Sequence, residues 1–261
     1  MELWLPIASA LSFLAGIAVT AWGIWMGRPR PGRLNFAAML AGFLFLTGWL
    51  ILRGEAEGSC PINSLYDVLI FQSWSLVLIY LLVGTSYRLS LLGAFTAPLA
   101  LGLLAAAWIA PIPRDAVPRN VVNPWIEAHA ALSMLAYGSF GLACIAGAMY
   151  LVQERQLKSH RFSPLSHSLP PITHLATANK RLLLLGLVLL SISFAAGILS
   201  QTHVNNLKFW GSAAIWIAYA LLIGIHRFRP LPSGRVAAAS VVVFVVTLLT
   251  LPAIQHLSTR P

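Results

Sequence analysis

The chain has 261 residues, 58% of them hydrophobic and 9% charged, with a mean hydropathy of +0.80. A soluble globular domain carries about 25% charged residues, so this composition excludes one and requires an integral membrane protein. The net charge of +10 does not signal nucleic acid, because the basic residues sit between apolar runs, where they act as topology signals and headgroup contacts.

Eight apolar segments follow in order, at about 3–27, 34–52, 66–84, 88–110, 124–152, 181–200, 207–226 and 235–255. Each suits a span of roughly 20 residues. The expected fold is all-α, a bundle of about eight transmembrane helices in a single polytopic membrane domain, 1–261. The first run, Leu3 to Met26, lacks a basic leader and a small-residue cleavage site, and reads as a retained span. Connections on one side carry 12 Lys and Arg residues, against 5 on the other. The richer side is expected in the cytoplasm, which leaves both termini outside and makes 155–180 a basic cytoplasmic loop. His160, His167 and His174 fall in that loop without an apolar helical frame, and read as solvated. Cys60 and Cys144 lie at different depths, with no Cys-x-x-Cys motif, so no disulfide or thiol redox chemistry is expected.

The outer loop from Arg53 leads into Asn63-Ser64, and Asp67 in the next first turn is explained by the helix dipole. No paired carboxylates, nucleophile triad or phosphate-cradling loop stands out. Glycines recur in the fifth and sixth spans, at Gly138, Gly141, Gly147, Gly186 and Gly197. They permit close helix packing; the alternative is room for a flat ligand.

The fifth span opens Asn123-Pro124-Trp125, with Asn123 as N-cap and Pro124 at the first helical position. His129 follows roughly 9 Å along the axis, just inside the apolar zone. A histidine there needs a polar partner, a water-filled cavity or a metal. His129, His203 and His256 gather on the expected outer face, and His226 lies at the inner end of the seventh span. Two such imidazoles are a common axial pair for haem iron, and Trp125, Phe209, Trp210 and Trp216 suit a porphyrin. The competing readings are interfacial anchors and an aromatic belt.

Three stretches then carry a resemblance: Cys60-Pro61-Ile62-Asn63-Ser64-Leu65-Tyr66-Asp67 before Ser73-Trp74 and Tyr80; Arg88 to Phe95 with Pro98; and His129-Ala130-Ala131-Leu132-Ser133-Met134-Leu135-Ala136-Tyr137 with Glu154-Arg155. Lys208, Trp216, Tyr219, His226 and Gly234-Arg235 continue it. The chain resembles the cytochrome c assembly family of the CcsA/CcmC haem-handling superfamily, above all its CcsA-type and its smaller YpjD- or HemX-like eight-span members.

The resemblance implies a multi-pass protein of the bacterial inner (cytoplasmic) membrane. Haem b would bind, stably or in transit, near the outer face. His129 and His256 are the implied axial ligands of its iron. His226 is implied at an inner access point, and His203 as a spare. Trp125, Trp210 and Lys208 complete the implied cofactor-binding residues. The implied partners are a second membrane assembly subunit (CcsB/ResB-like) and apocytochrome c. Arg114, Arg119, Asn205 and Asn206 would join Lys208 around the haem propionates. The chain would then be a subunit of a haem–cytochrome c ligation complex and not an enzyme by itself. One departure stands out. The family's tryptophan-rich W-G-x-x-W-x-W-D segment is replaced by His203-Val204-Asn205-Asn206-Leu207-Lys208, which favours the shorter branch. The alternatives are a HemX-like regulator of haem synthesis acting through the cytoplasmic loop, and a permease or scaffold without haem.

Overall fold

The computed structural model describes residues 3–26, 32–87, 92–110, 123–159, 170–200, 206–228 and 232–258. The elements among them are α1 (Trp4–Trp25), α2 (Gly32–Glu57), α3 (Leu65–Tyr87), α4 (Leu92–Ile109), α5 (Pro124–Ser159), α6 (Ile172–Leu199), α7 (Asn206–Phe228) and α8 (Ser233–Ser258). Seven are long and apolar enough to cross a membrane, and α7 contributes the shorter apolar stretch Trp210–His226. Helices satisfy every backbone group within the segment, which a lipid interior demands.

Three helices outrun the spans expected from hydropathy. α2 continues to Glu57, α5 to Ser159, and α6 already begins at Ile172. At 1.5 Å per residue the 36-residue α5 is about 54 Å long, well beyond a ~30 Å hydrocarbon core. Of the stretch 155–180, only 160–171 therefore lies between helices, and 160–169 lies outside the described residues. His174 sits exposed on the first turn of α6. Neither Cys60 nor Cys144 is in a disulfide.

The bundle has two halves. α1 packs on α2 and α4, and α3 on α4; α5 packs on α6 and α8, and α7 on α8 and α6. The seam between the halves is α3 against α5. A Cβ at Gly138 would stand 2.8 Å from the backbone carbonyl of Ser75. Only glycine allows that approach, and Ser75 Oγ secures it by donating to the Met134 carbonyl at 2.6 Å.

The other glycines of these spans are filled in the same way. Gly186 receives the Phe140 ring, Gly141 meets Leu76 and Phe244, and Gly147 meets Ser240, Ala237 and Asn179. They serve helix packing and leave no slot for a flat ligand. Phe140 in turn stacks on Tyr219 of α7, with centroids 3.5 Å apart and planes within 3°. Both rings are buried at the centre of the second half.

Candidate functional site

Asn123 caps α5 as its sequence suggests, its Oδ1 accepting from Trp125 N at 3.0 Å. Its Nδ2 donates to the Ser200 carbonyl at 3.0 Å, tying the start of α5 to the end of α6. This fixes the first turns of α5 against α6 and sets the direction of His129.

His129 is half-buried and turned toward α6. Its Nδ1 lies 2.8 Å from the Ser193 carbonyl and 3.0 Å from Ser193 Oγ. A carbonyl oxygen only accepts, so Nδ1 carries the proton. Ser193 Oγ donates to the His129 carbonyl at 2.9 Å, and Ser133 Oγ stands 2.6 Å from it. Gly197 makes room for the ring, since a Cβ there would stand 2.9 Å from Nδ1. The tautomer and ring orientation are thereby fixed, with Nε2 as the lone-pair edge. Iron- and zinc-bound histidines are held in the same way, by a hydrogen bond from the other ring nitrogen.

The α5–α8 pairing locates the other histidine of the expected pair by register. Gly147 meets Ala237 and Ser240, and Gly141 meets Phe244, so facing positions sum to about 385. Extending that antiparallel register brings position 256, in the last turns of α8, level with position 129. Gly147, which touches both α6 and α8, lies five turns of α5 from His129, on the same line of the helix. His129 is therefore on the α5 line that faces the α6–α8 junction. The side chains of His256 and Lys208 lie outside the described residues, as do His203, Asn205, Arg114 and Arg119. The chain path still puts Lys208, at the start of α7, at the His129 end.

The tryptophans divide. Trp125 precedes His129 by one turn and is half exposed, and Trp210 is exposed on the first half of α7. Trp216 belongs elsewhere: its Nε1 donates to Ser191 Oγ at 2.9 Å. Ser191 and Ser193 are about 200° apart around α6, so Trp216 and His129 touch different sides of that helix. Between α7 and α8, Gly211, Ala214, Ala218, Val242 and Thr247 line an apolar cleft of about 270 Å³.

A polar cap at this end was not legible in the sequence. Arg53 Nε lies 2.9 Å from Glu57 Oε1 and 3.4 Å from Asp67 Oδ1, with both carboxylates fully buried. Asn63 Nδ2 donates to Glu57 Oε2 at 2.6 Å. Ser64 and Asp67 form a reciprocal cap on α3, with Asp67 N donating to Ser64 Oγ and Ser64 N to Asp67 Oδ2, each at 3.1 Å. Asp67 is therefore an ion-pair and capping residue, more than a dipole partner, and paired carboxylates do exist here. Cys60 N donates to Glu127 Oε1 at 3.2 Å, two residues from His129. The loop after α2 is thus latched to the helix that carries the histidine. The signal available in advance was the i, i+4 pair Arg53/Glu57 followed by Ser-x-x-Asp.

At the opposite end, His226 and Lys180 line a cavity of about 460 Å³ between α6, α7 and the start of α8. His226 Nδ1 is buried with no hydrogen-bond partner among the described residues. The sequence expectation that His226 and His129 sit at opposite ends agrees with this arrangement.

The family model described as cytochrome C assembly protein matches residues 62–253. The chain belongs to that family. Among cytochrome c assembly relatives it is 30% identical over 181 residues to Protein HemX of Brevibacillus brevis, covering 69% of this chain and 66% of that one. It is 29% identical over 161 residues to the cytochrome c biogenesis protein CcsA of Trichormus variabilis, covering 59% of this chain and 46% of that one. Protein NrfI of Wolinella succinogenes is 28% identical over 240 residues, which is 86% of this chain and 25% of NrfI. The chain thus spans 66% or less of the length of these relatives. The family match takes in α3 through most of α8, including His129, Lys180 and His226, and stops just before His256. A member of the cytochrome c assembly family with several helices long and apolar enough to cross a membrane is what composition, fold and family together describe.

Proposed function

We propose that this protein binds haem b at its outer face and hands it to apocytochrome c, working with a CcsB/ResB-like membrane subunit. The observation that carries the reading is the state of His129. Its Nδ1–H is fixed on the Ser193 carbonyl, so the ring presents Nε2 in the form an iron ligand requires. The α5–α8 register supports His256 as the second axial ligand, since it stands level with His129. Trp125, Trp210 and the start of α7 that carries Lys208 belong to the same end of the chain path, and His203, outside the described residues, is the spare ligand of this reading. Lys208 is suited to pair a propionate. His226 at the opposite end marks the inner access point. Haem supplies the reactive vinyl groups and iron, and the protein supplies binding and orientation. The bacterial inner membrane, with both termini outside, is the setting this reading requires.

The test is an absorption spectrum of the protein purified in mild detergent from haem-replete cells, beside a His129→Ala/His256→Ala double variant. Loss in the double variant of the low-spin, bis-histidine component of the Soret band, whatever absorption haem at the His226 end retains, supports the outer site. No band in the parent protein, even after haem is added, sinks the reading.

A second reading, regulation of haem synthesis through the cytoplasmic side, is favoured by one observation. α5 carries Arg155 and Lys158 well past the span on a continuous helix, a rigid basic projection suited to a soluble partner. It predicts that removing 155–169 abolishes function while the double histidine variant keeps it.

A further inference from the structure

Among its described lining residues, the cavity at the His226 end has two polar groups, and both are nitrogen bases. The His226 imidazole comes from α7 and the Lys180 ammonium from α6, against walls of Leu183, Leu222, Ile223 and Val236. Its volume, about 460 Å³, is within the range of cofactor pockets. No acidic side chain is among the described lining residues, and the nearby Glu154 is already paired with Lys158 at 3.0 Å. Lys180 has no ion pair among the described residues. Each base is therefore left with an unmet requirement. The buried Nδ1 of His226 lacks a partner in an apolar wall, which is costly for a polar group. The ammonium has no anion among the described residues.

An apolar slot with an imidazole and a lone ammonium matches one kind of ligand. It is a largely apolar molecule with a group that bonds to imidazole and a carboxylate at its edge. We infer that Lys180 is the specificity-determining residue of this cavity, pairing a carboxylate of the ligand that His226 holds. For haem that carboxylate is a propionate, and to that extent the inference rests on the proposed function. Lysine serves such a role as a point charge on a flexible stem, without the bidentate demand of arginine.

The experiment uses the full-length protein in detergent in the His129→Ala/His256→Ala background, so that the outer site is silent. Ferric haem and haem dimethyl ester, which lacks free carboxylates, are titrated and followed by their Soret bands. The expected result is that haem binds ~10-fold more tightly than the ester, the size of one charge-assisted contact. Lys180→Gln should erase that difference while leaving ester binding and band position unchanged. Lys180→Arg should restore most of it. His226→Ala should weaken both ligands and change the band.

An unchanged haem-to-ester ratio in Lys180→Gln overturns the inference and makes Lys180 a lipid-headgroup contact. A background protein that binds neither ligand, while the parent binds haem, also overturns it and leaves the outer-site reading standing. A parent protein that binds no haem at all removes both.

Discussion

At the scale of single residues, the chemistry rests on groups set by partners far away in sequence. His129 was legible as a candidate, because a histidine one helical turn after Trp125 at the rim of an apolar run has few uses. Its tautomer was not legible, because the carbonyl that fixes it belongs to Ser193 on another helix. Gly197 is the sensitive neighbour. Gly197→Ala puts a methyl 2.9 Å from Nδ1, against a ring that its hydrogen bonds hold in place. This variant should weaken haem binding ~10-fold and alter the Soret band, since a shifted ligand or a lost orienting bond typically costs 10–100-fold in metal affinity. A Gly197→Ala protein with the parent spectrum and affinity would count against His129 as a ligand. Arg53 poses a different kind of question. Its ion pairs with Glu57 and Asp67 involve buried side chains on both sides. Removing this buried cation should leave both carboxylates short of a countercharge and cost ~3–5 kcal/mol. Thermal unfolding of Arg53→Met in detergent should show this as a large fall in midpoint, larger than for a substitution at an exposed apolar position such as Val188→Ala.

At the scale of elements, the number and order of helices could be read from hydropathy, whereas their ends could not, and α7 holds only the shorter apolar stretch Trp210–His226. Hydropathy reports where lipid stops. A helix stops where its hydrogen bonds and packing stop. α2 runs past Arg53 to end at Glu57 because those charges are buried against α3, and α6 starts before Lys180 because Leu175 and Asn179 pack inward. The close crossings follow the glycines, as the sequence suggested, but only the structure tells which glycines are essential. Gly138 meets backbone atoms of Ser75, which cannot yield, whereas a Cβ at Gly102 would meet nothing within 4 Å. Gly138→Ala should therefore destabilise the seam by ~1–3 kcal/mol. Gly102→Ala should be neutral, or gain up to ~1 kcal/mol of helix propensity. Equal midpoints for the two variants would mean that α3 and α5 are not held at this distance.

At the scale of the whole molecule, an even number of antiparallel helices brings the start of α1 and the end of α8 to one end of the bundle, with Trp125 and the polar cap. The distribution of Lys and Arg then predicts which end faces the cytoplasm. Single-cysteine variants at Trp125 and Lys158, made with Cys60→Ser and Cys144→Ala, check this in intact cells with a membrane-impermeant maleimide. Labelling is expected at 125 and not at 158; the reverse pattern would invert the protein and move the His129 site to the cytoplasm. The missing tryptophan-rich segment, visible in the sequence, falls largely at 203–208, where the connection before α7 and its first side chains lie outside the described residues.

The stacked pair Phe140 and Tyr219 has a consequence for the cell's energy supply. A membrane that stores a proton gradient tolerates polar recesses at either face only if they never join into a conducting thread. Here the recess at His226 and the imidazole at His129 are separated by two parallel rings in van der Waals contact, one of them seated on the bare backbone of Gly186. The faces of those rings offer water nothing to bond to. In such a membrane a closed aromatic pair between the two recesses would keep them apart, so that each end could be wet without draining the gradient.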